Sequence, residues 1–168
     1  MTASRPPWFN LSVPPESLSE GETPRILHID FPPAILRLME QAFRSRPMRW
    51  ESAESGVLGL HMALIRDYSL IFLGLKESGL DGLRVAAGLQ RSGLRTPLIL
   101  LMSRRDLDMR REELSRLPNV LACLAKPLDM EQVEKAMEFL RRPPALQPKD
   151  RARLLQVLAR VERAVHVG

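Results

Sequence analysis

From Arg25 onward the chain alternates short apolar runs with amphipathic stretches. The runs are RILHI (25–29), SLIFLG (69–74), PLILLM (97–102) and NVLACLA (119–125), rich in Ile, Leu and Val. Each is too short for a helix, and continuous apolar runs of this length suit strands covered on both faces, as in a parallel sheet. A fifth segment, MRWESA (48–53), is more polar and predicts a strand at a sheet edge.

The stretches between them read as helices. Pro32 and Pro33 can open the first, because a first helical turn needs no backbone donors. Ile35, Leu38, Met39, Ala42 and Phe43 then form one apolar stripe. Val57, Leu60, Met62, Ala63 and Leu64 mark a second helix, and Leu83, Ala86, Ala87 and Leu89 a third. Met109, Leu114 and Leu117 give a weaker, strongly charged fourth. Asp129 can cap the fifth, with Gln132 three residues on as in a capping box, followed by Val133, Ala136, Met137 and Leu140. Strand followed by helix, five times over, requires right-handed crossovers and a parallel sheet with helices on both faces. The expected fold is α/β: a flavodoxin-like, doubly wound sheet of five strands in the order 2-1-3-4-5, with its functional edge at the carboxyl ends of the strands.

Outside this repeat, residues 1–24 are rich in proline and serine and predict a flexible N-terminal arm, in which Trp8 and Phe9 form an aromatic pair able to dock on a partner or on the domain itself. The repeat spans 25–142, residues 143–148 read as a linker, and 149–168 as a C-terminal amphipathic helix. Leu154, Leu155, Leu158, Val161 and Val165 share one face of that helix, with Arg151, Arg153, Arg160 and Arg163 largely on the others. Its stripe calls for burial on its own domain, in a homodimer or against a partner.

Composition narrows the function classes. At 168 residues and 45% apolar content, the chain supports one ordinary core. There is no uncharged apolar run of about 18 residues, so no membrane span is expected, and the N-terminus lacks the pattern of a secretory signal. A single cysteine, Cys123, fits a reducing cytoplasm. The net charge of +5 raises nucleic-acid contact as an option. Arginines spread along the helices, without an RNA-binding aromatic motif or zinc-finger spacing, favour a solvated surface instead. Three scattered histidines make no metal cluster, and His28 reads as a packed strand residue. Cys123 reads as a small core residue, and no G-x-S-x-G nucleophile turn or phosphate-binding glycine loop is present.

Several features in register resemble the response-regulator receiver domain family, over residues 25–142. RILHID ends in an acid, and AESGVLGLHMAL resembles the family's alanine-x-x-glycine segment. GLKESGLDGL carries Gly79, Asp81 and Gly82 after the third strand, and Lys126-Pro127 ends the fifth. The resemblance implies a phosphorylation site in which two acids after the first strand and a phosphoacceptor after the third hold Mg²⁺, a hard cation that prefers oxygen ligands. A lysine offsets the phosphoryl charge, and a threonine or serine and an aromatic residue form the switch.

Matched position by position, this chain retains Asp30 and Lys126 and departs elsewhere. The second acid is Phe31, the phosphoacceptor position is Gly74, the switch hydroxyl position is Met102 (with Ser103 following), and the switch aromatic is Cys123. Glycine has no carboxylate to form an acyl phosphate, and one acid is too few for a firm Mg²⁺ site. Using Glu77 or Asp81 as acceptor breaks the loop register. The expectation is therefore a pseudo-receiver, cytoplasmic and bacterial, without enzymatic activity, cofactor or metal. It would act as a protein–protein adaptor in a two-component phosphorelay pathway, with Asp30 and Lys126 forming a salt bridge. Candidate contact residues are Arg104, Arg105, Arg110 and Arg111 in the charged fourth helix, and Leu154, Leu158 and Val161 in the last. Two alternatives stand beside it: a regulator phosphorylated at an unorthodox carboxylate, and a nucleic-acid-associated regulator using the basic C-terminal helix.

Overall fold

In the computed structural model, residues 23–75, 80–115, 117 and 119–138 are described. The apolar runs form five parallel strands: β1 (Arg25–Ile29), β2 (Arg49–Ala53), β3 (Leu70–Gly74), β4 (Leu98–Ser103) and β5 (Val120–Lys126). They are ordered β2-β1-β3-β4-β5. Between and after them lie α1 (Pro33–Phe43), α2 (Gly56–Ile65), α3 (Leu80–Arg91), α4 (Arg104–Ser115) and α5 (Met130–Met137). The register runs Ile29 beside Ala53 and Leu73, Gly74 beside Leu101, and Ser103 beside Lys126.

Alternate strand residues feed two apolar layers, because successive side chains leave a strand on opposite faces. Leu27, Ile29, Ile71, Leu73, Leu98, Leu100 and Met102 pack with Ala63 of α2, Val85, Ala86 and Leu89 of α3, and Leu107 and Leu114 of α4. Ile26, Phe72, Ile99, Leu101 and Leu124 pack with Met39 and Phe43 of α1 and Val133, Ala136 and Met137 of α5. The edge strand β2 is held by Trp50, whose ring stacks on Phe43 with centroids 5.2 Å apart. On the opposite face of the same strand, the next residue, Glu51, accepts hydrogen bonds from Tyr68 and Arg66.

Helix faces depart from the periodicity reading in three places. On α1 the buried positions are Leu36, Met39 and Phe43, while Leu38 and Ala42 face outward. On α2 the sheet takes Gly59 and Ala63, and Val57 and Leu64 are exposed. A Cβ at Gly59 would collide with the Ile29 side chain, so the helix approaches β1 along its smallest residues. On α4 Leu107 and Leu114 are buried and Met109 is exposed. Asp129 does cap α5, accepting from Glu131 N–H at 3.0 Å, one residue before the Gln132 position. The expected arm, linker and C-terminal helix, with Trp8, Phe9, Leu154, Leu158 and Val161, lie outside the described residues.

Candidate functional site

The carboxyl ends of β1, β3 and β5 bring three of the singled-out residues together. Asp30 follows β1 and is buried, with 5% of its surface exposed. Its Oδ1 accepts from Lys126 Nζ at 2.8 Å and from the Phe31 backbone N–H at 2.7 Å. β3 and β4 lie between β1 and β5, so this pair bridges the ends of two intervening strands. Gly74, at the end of β3, makes the reach possible: a Cβ there would overlap the Asp30 carboxyl group. The carboxylate thus fills the space in which a residue-74 side chain would begin.

Behind this pair stands His28, fully buried on β1. Its Nε2 is 3.4 Å from Asp30 Oδ2, and its ring meets Trp50 and Phe72 edge-on, each at 6.0 Å. Burial by itself would raise the Asp30 carboxyl. The His28 side chain, the hydrogen bond and charge of Lys126, and the Phe31 N–H outweigh it and hold Asp30 below its ordinary 3.8.

The remaining positions lie apart from this pair. Met102 is fully buried in the layer under α3 and α4, and Cys123 is buried in the same layer from β5. Ser103, the nearest hydroxyl in sequence to the switch position, is committed elsewhere. It donates to Asp106 Oδ2 at 2.7 Å and accepts from Asp106 N–H at 3.1 Å, a reciprocal pair that starts α4. Sequence reading missed this role, although Ser-x-x-Asp before a helix is a legible signal. Phe31 is exposed at the rim of a depression of about 360 Å³, lined also by Glu54, Val57, Leu60, Gly74 and Arg84. Glu77 lies outside the described residues. On α4, Arg104 and Arg105 are exposed and Arg110 is partly so; the Arg111 side chain is outside what is described.

The residue set does not fit Mg²⁺. The ion needs several hard oxygen ligands in near-octahedral geometry. Here the first acid already holds an ammonium group, the second position is an apolar ring, and the third has no side chain. Among the described residues no three His, Cys, Asp or Glu side chains converge as metal ligands. No helix among them is long and apolar enough to cross a membrane.

Solved structures share the fold. Response regulator TrrA of Thermotoga maritima, in complex with Mg²⁺-BeF, is 23% identical, with TM-score 0.60 over 70% of this chain and 99% of that one. The adenylate cyclase structure from Rhodopirellula baltica is 20% identical, with TM-score 0.64 over 80% and 98%. Chemotaxis response regulator CheY4 of Vibrio cholerae is 16% identical, with TM-score 0.61 over 71% and 99%. No curated protein sequence matches this chain. The family model for the response regulator receiver domain matches residues 26–138, most of the chain and all of the sheet but Arg25 at the start of β1. With the 2-1-3-4-5 order and the acid and lysine at the strand ends, the chain belongs to the response regulator receiver domain family.

Proposed function

We propose that this receiver domain is a pseudo-receiver: a protein–protein signalling adaptor in a two-component-type pathway that works without phosphotransfer and has no catalytic role of its own. The observation that carries the reading is the closed Asp30–Lys126 pair over Gly74. In this family the charge at the strand ends is balanced when metal and phosphoryl group arrive. Here the lysine balances the acid directly, in the space where an acceptor side chain would stand. The domain is held in one charge state, and contact surfaces carry the signal.

The charged α4 is the surface we assign to a protein partner. Arg104 and Arg105 stand exposed beside β4, as electrostatic steering of an acidic partner requires. Leu154, Leu158 and Val161 supply a second, apolar candidate surface on sequence grounds.

The test is an amide NMR titration with millimolar Mg²⁺, followed by beryllofluoride. The expected result is that resonances of Asp30, Gly74 and Lys126 stay in place. Saturable shifts at those residues would overturn the proposal and point to a neighbouring carboxylate as acceptor. The adaptor half is tested by pull-down with the full chain, where Arg104→Glu with Arg105→Glu is expected to abolish capture of the partner that the wild type retains.

A further inference from the structure

The α2 helix, GVLGLHMALI, contains no charged residue, yet only one side of it meets the sheet. Gly59 and Ala63 are buried. On the opposite side Val57 is 83% exposed, Leu58 46%, Leu64 53% and Ile65 62%, with exposed His61 among them. At 3.6 residues per turn these five positions fall on one face about 120° wide. A contiguous apolar face of this kind marks a contact surface.

The spacing on this face is symmetric. Val57 and Leu58 stand four and three residues before His61, and Leu64 and Ile65 three and four after it. Two copies of α2 laid antiparallel about a two-fold axis at His61 therefore match apolar with apolar along their length. Val57 and Leu58 of one copy meet Ile65 and Leu64 of the other, and the two imidazoles meet at the axis. This is the isologous pattern, in which one patch complements itself. The ends agree in sign: exposed Glu54 before one helix lies toward half-exposed Arg66 after the other, which also bonds Glu51 of its own chain, and the two helix dipoles oppose. Ser55 fixes the helix start by accepting from Leu58 N–H at 3.2 Å, so the face is presented on an ordered element.

We infer that this domain self-associates through α2, forming a two-fold dimer in which the occupant of the apolar face is a second copy of the chain. The inference rests on the α2 face alone and is independent of the loss of phosphotransfer. A helix of this length is about 15 Å long, so the contact belongs with small, reversible interfaces.

The test is sedimentation velocity of the full chain over roughly 5–500 μM, the range suited to a small interface. The wild type is expected to pass from monomer to dimer. Leu64→Glu and His61→Glu each place like charges at the apolar seam and are expected to weaken the dimer at least about 30-fold. Leu38→Glu, equally exposed on α1, leaves it unchanged. His61→Cys is then expected to form an intermolecular disulfide under mild oxidant, because only an axial position brings the two Cα atoms within about 7 Å. Leu38→Cys does not, and the buried Cys123 does not compete. A wild type that stays monomeric at every concentration overturns the inference and leaves the face to a different protein or a lipid surface. So does a dimer indifferent to both glutamate substitutions, or a cysteine at 61 that cross-links no faster than one at 38.

Discussion

The Asp30 carboxylate occupies the space where a side chain on Gly74 would begin, and from there it meets Lys126 at 2.8 Å. Three strand ends are locked by this one arrangement. The acid is desolvated, the lysine reaches it across two strands, and the glycine is the residue that permits both. Stability and pH response follow from it, and the loss of phosphotransfer that we propose rests on it.

Gly74→Ala should destabilise the domain by about 1–3 kcal/mol, the usual cost of forcing atoms into a filled site. Denaturant unfolding measures this. In the Asp30→Ala background the same substitution should cost less, because the group it displaces is gone. Additive losses in that double-mutant cycle would show that the two positions are uncoupled.

Lys126→Met removes the partner of a buried carboxylate. Breaking a buried pair costs about 3–5 kcal/mol, and the partial exposure of Lys126 brings the expected loss to about 2–3 kcal/mol. Adding Asp30→Asn should recover part of it, since the uncompensated charge is then absent. Urea unfolding of the single and double variants checks both numbers.

Acid should weaken the fold through Asp30. Its carboxyl is held below the ordinary 3.8, so the folded state favours the charged form. The resulting stability is fully present above about pH 5 and is lost as pH falls past the unfolded value and through the lowered folded one. Unfolding free energies from pH 7 to 3 should fall less steeply in Asp30→Asn than in the wild type.

Tyr68 is the chain's one tyrosine, so phenolate absorbance reads it directly. Burial and the hydrogen bond to Glu51 push its hydroxyl up to about 12. The phenolate signal should appear near pH 12 in the folded protein and near 10 in denaturant. The stability this represents is present below about pH 10 and lost as pH rises toward 12. Glu51→Gln should lower the folded midpoint.

Ser103→Ala should cost about 1 kcal/mol, the usual value of a lost helix cap. The Asp30 amide shift should be unmoved, because the Ser103 hydroxyl is bound to Asp106 and not to the Asp30–Lys126 pair.

The sequence by itself determined the strands, their order of appearance and the fold class. Continuous apolar runs such as PLILLM have one economical use, burial on both faces of a parallel sheet. It also determined that the residues after β1 and at the end of β3, Phe31 and Gly74, carry no carboxylate. Tertiary structure decided the rest. Asp30 and Lys126 are 96 residues apart, and no local pattern encodes their distance. Whether a carboxylate leans into the space beside a glycine depends on three strand ends meeting. The faces of α2 were likewise beyond periodicity: a helix without charges has no polar side to mark solvent, so Val57 and Leu64 mark the helix in sequence without telling which side is buried. Only docking along Gly59 and Ala63, the residues small enough to approach Ile29, turned them outward.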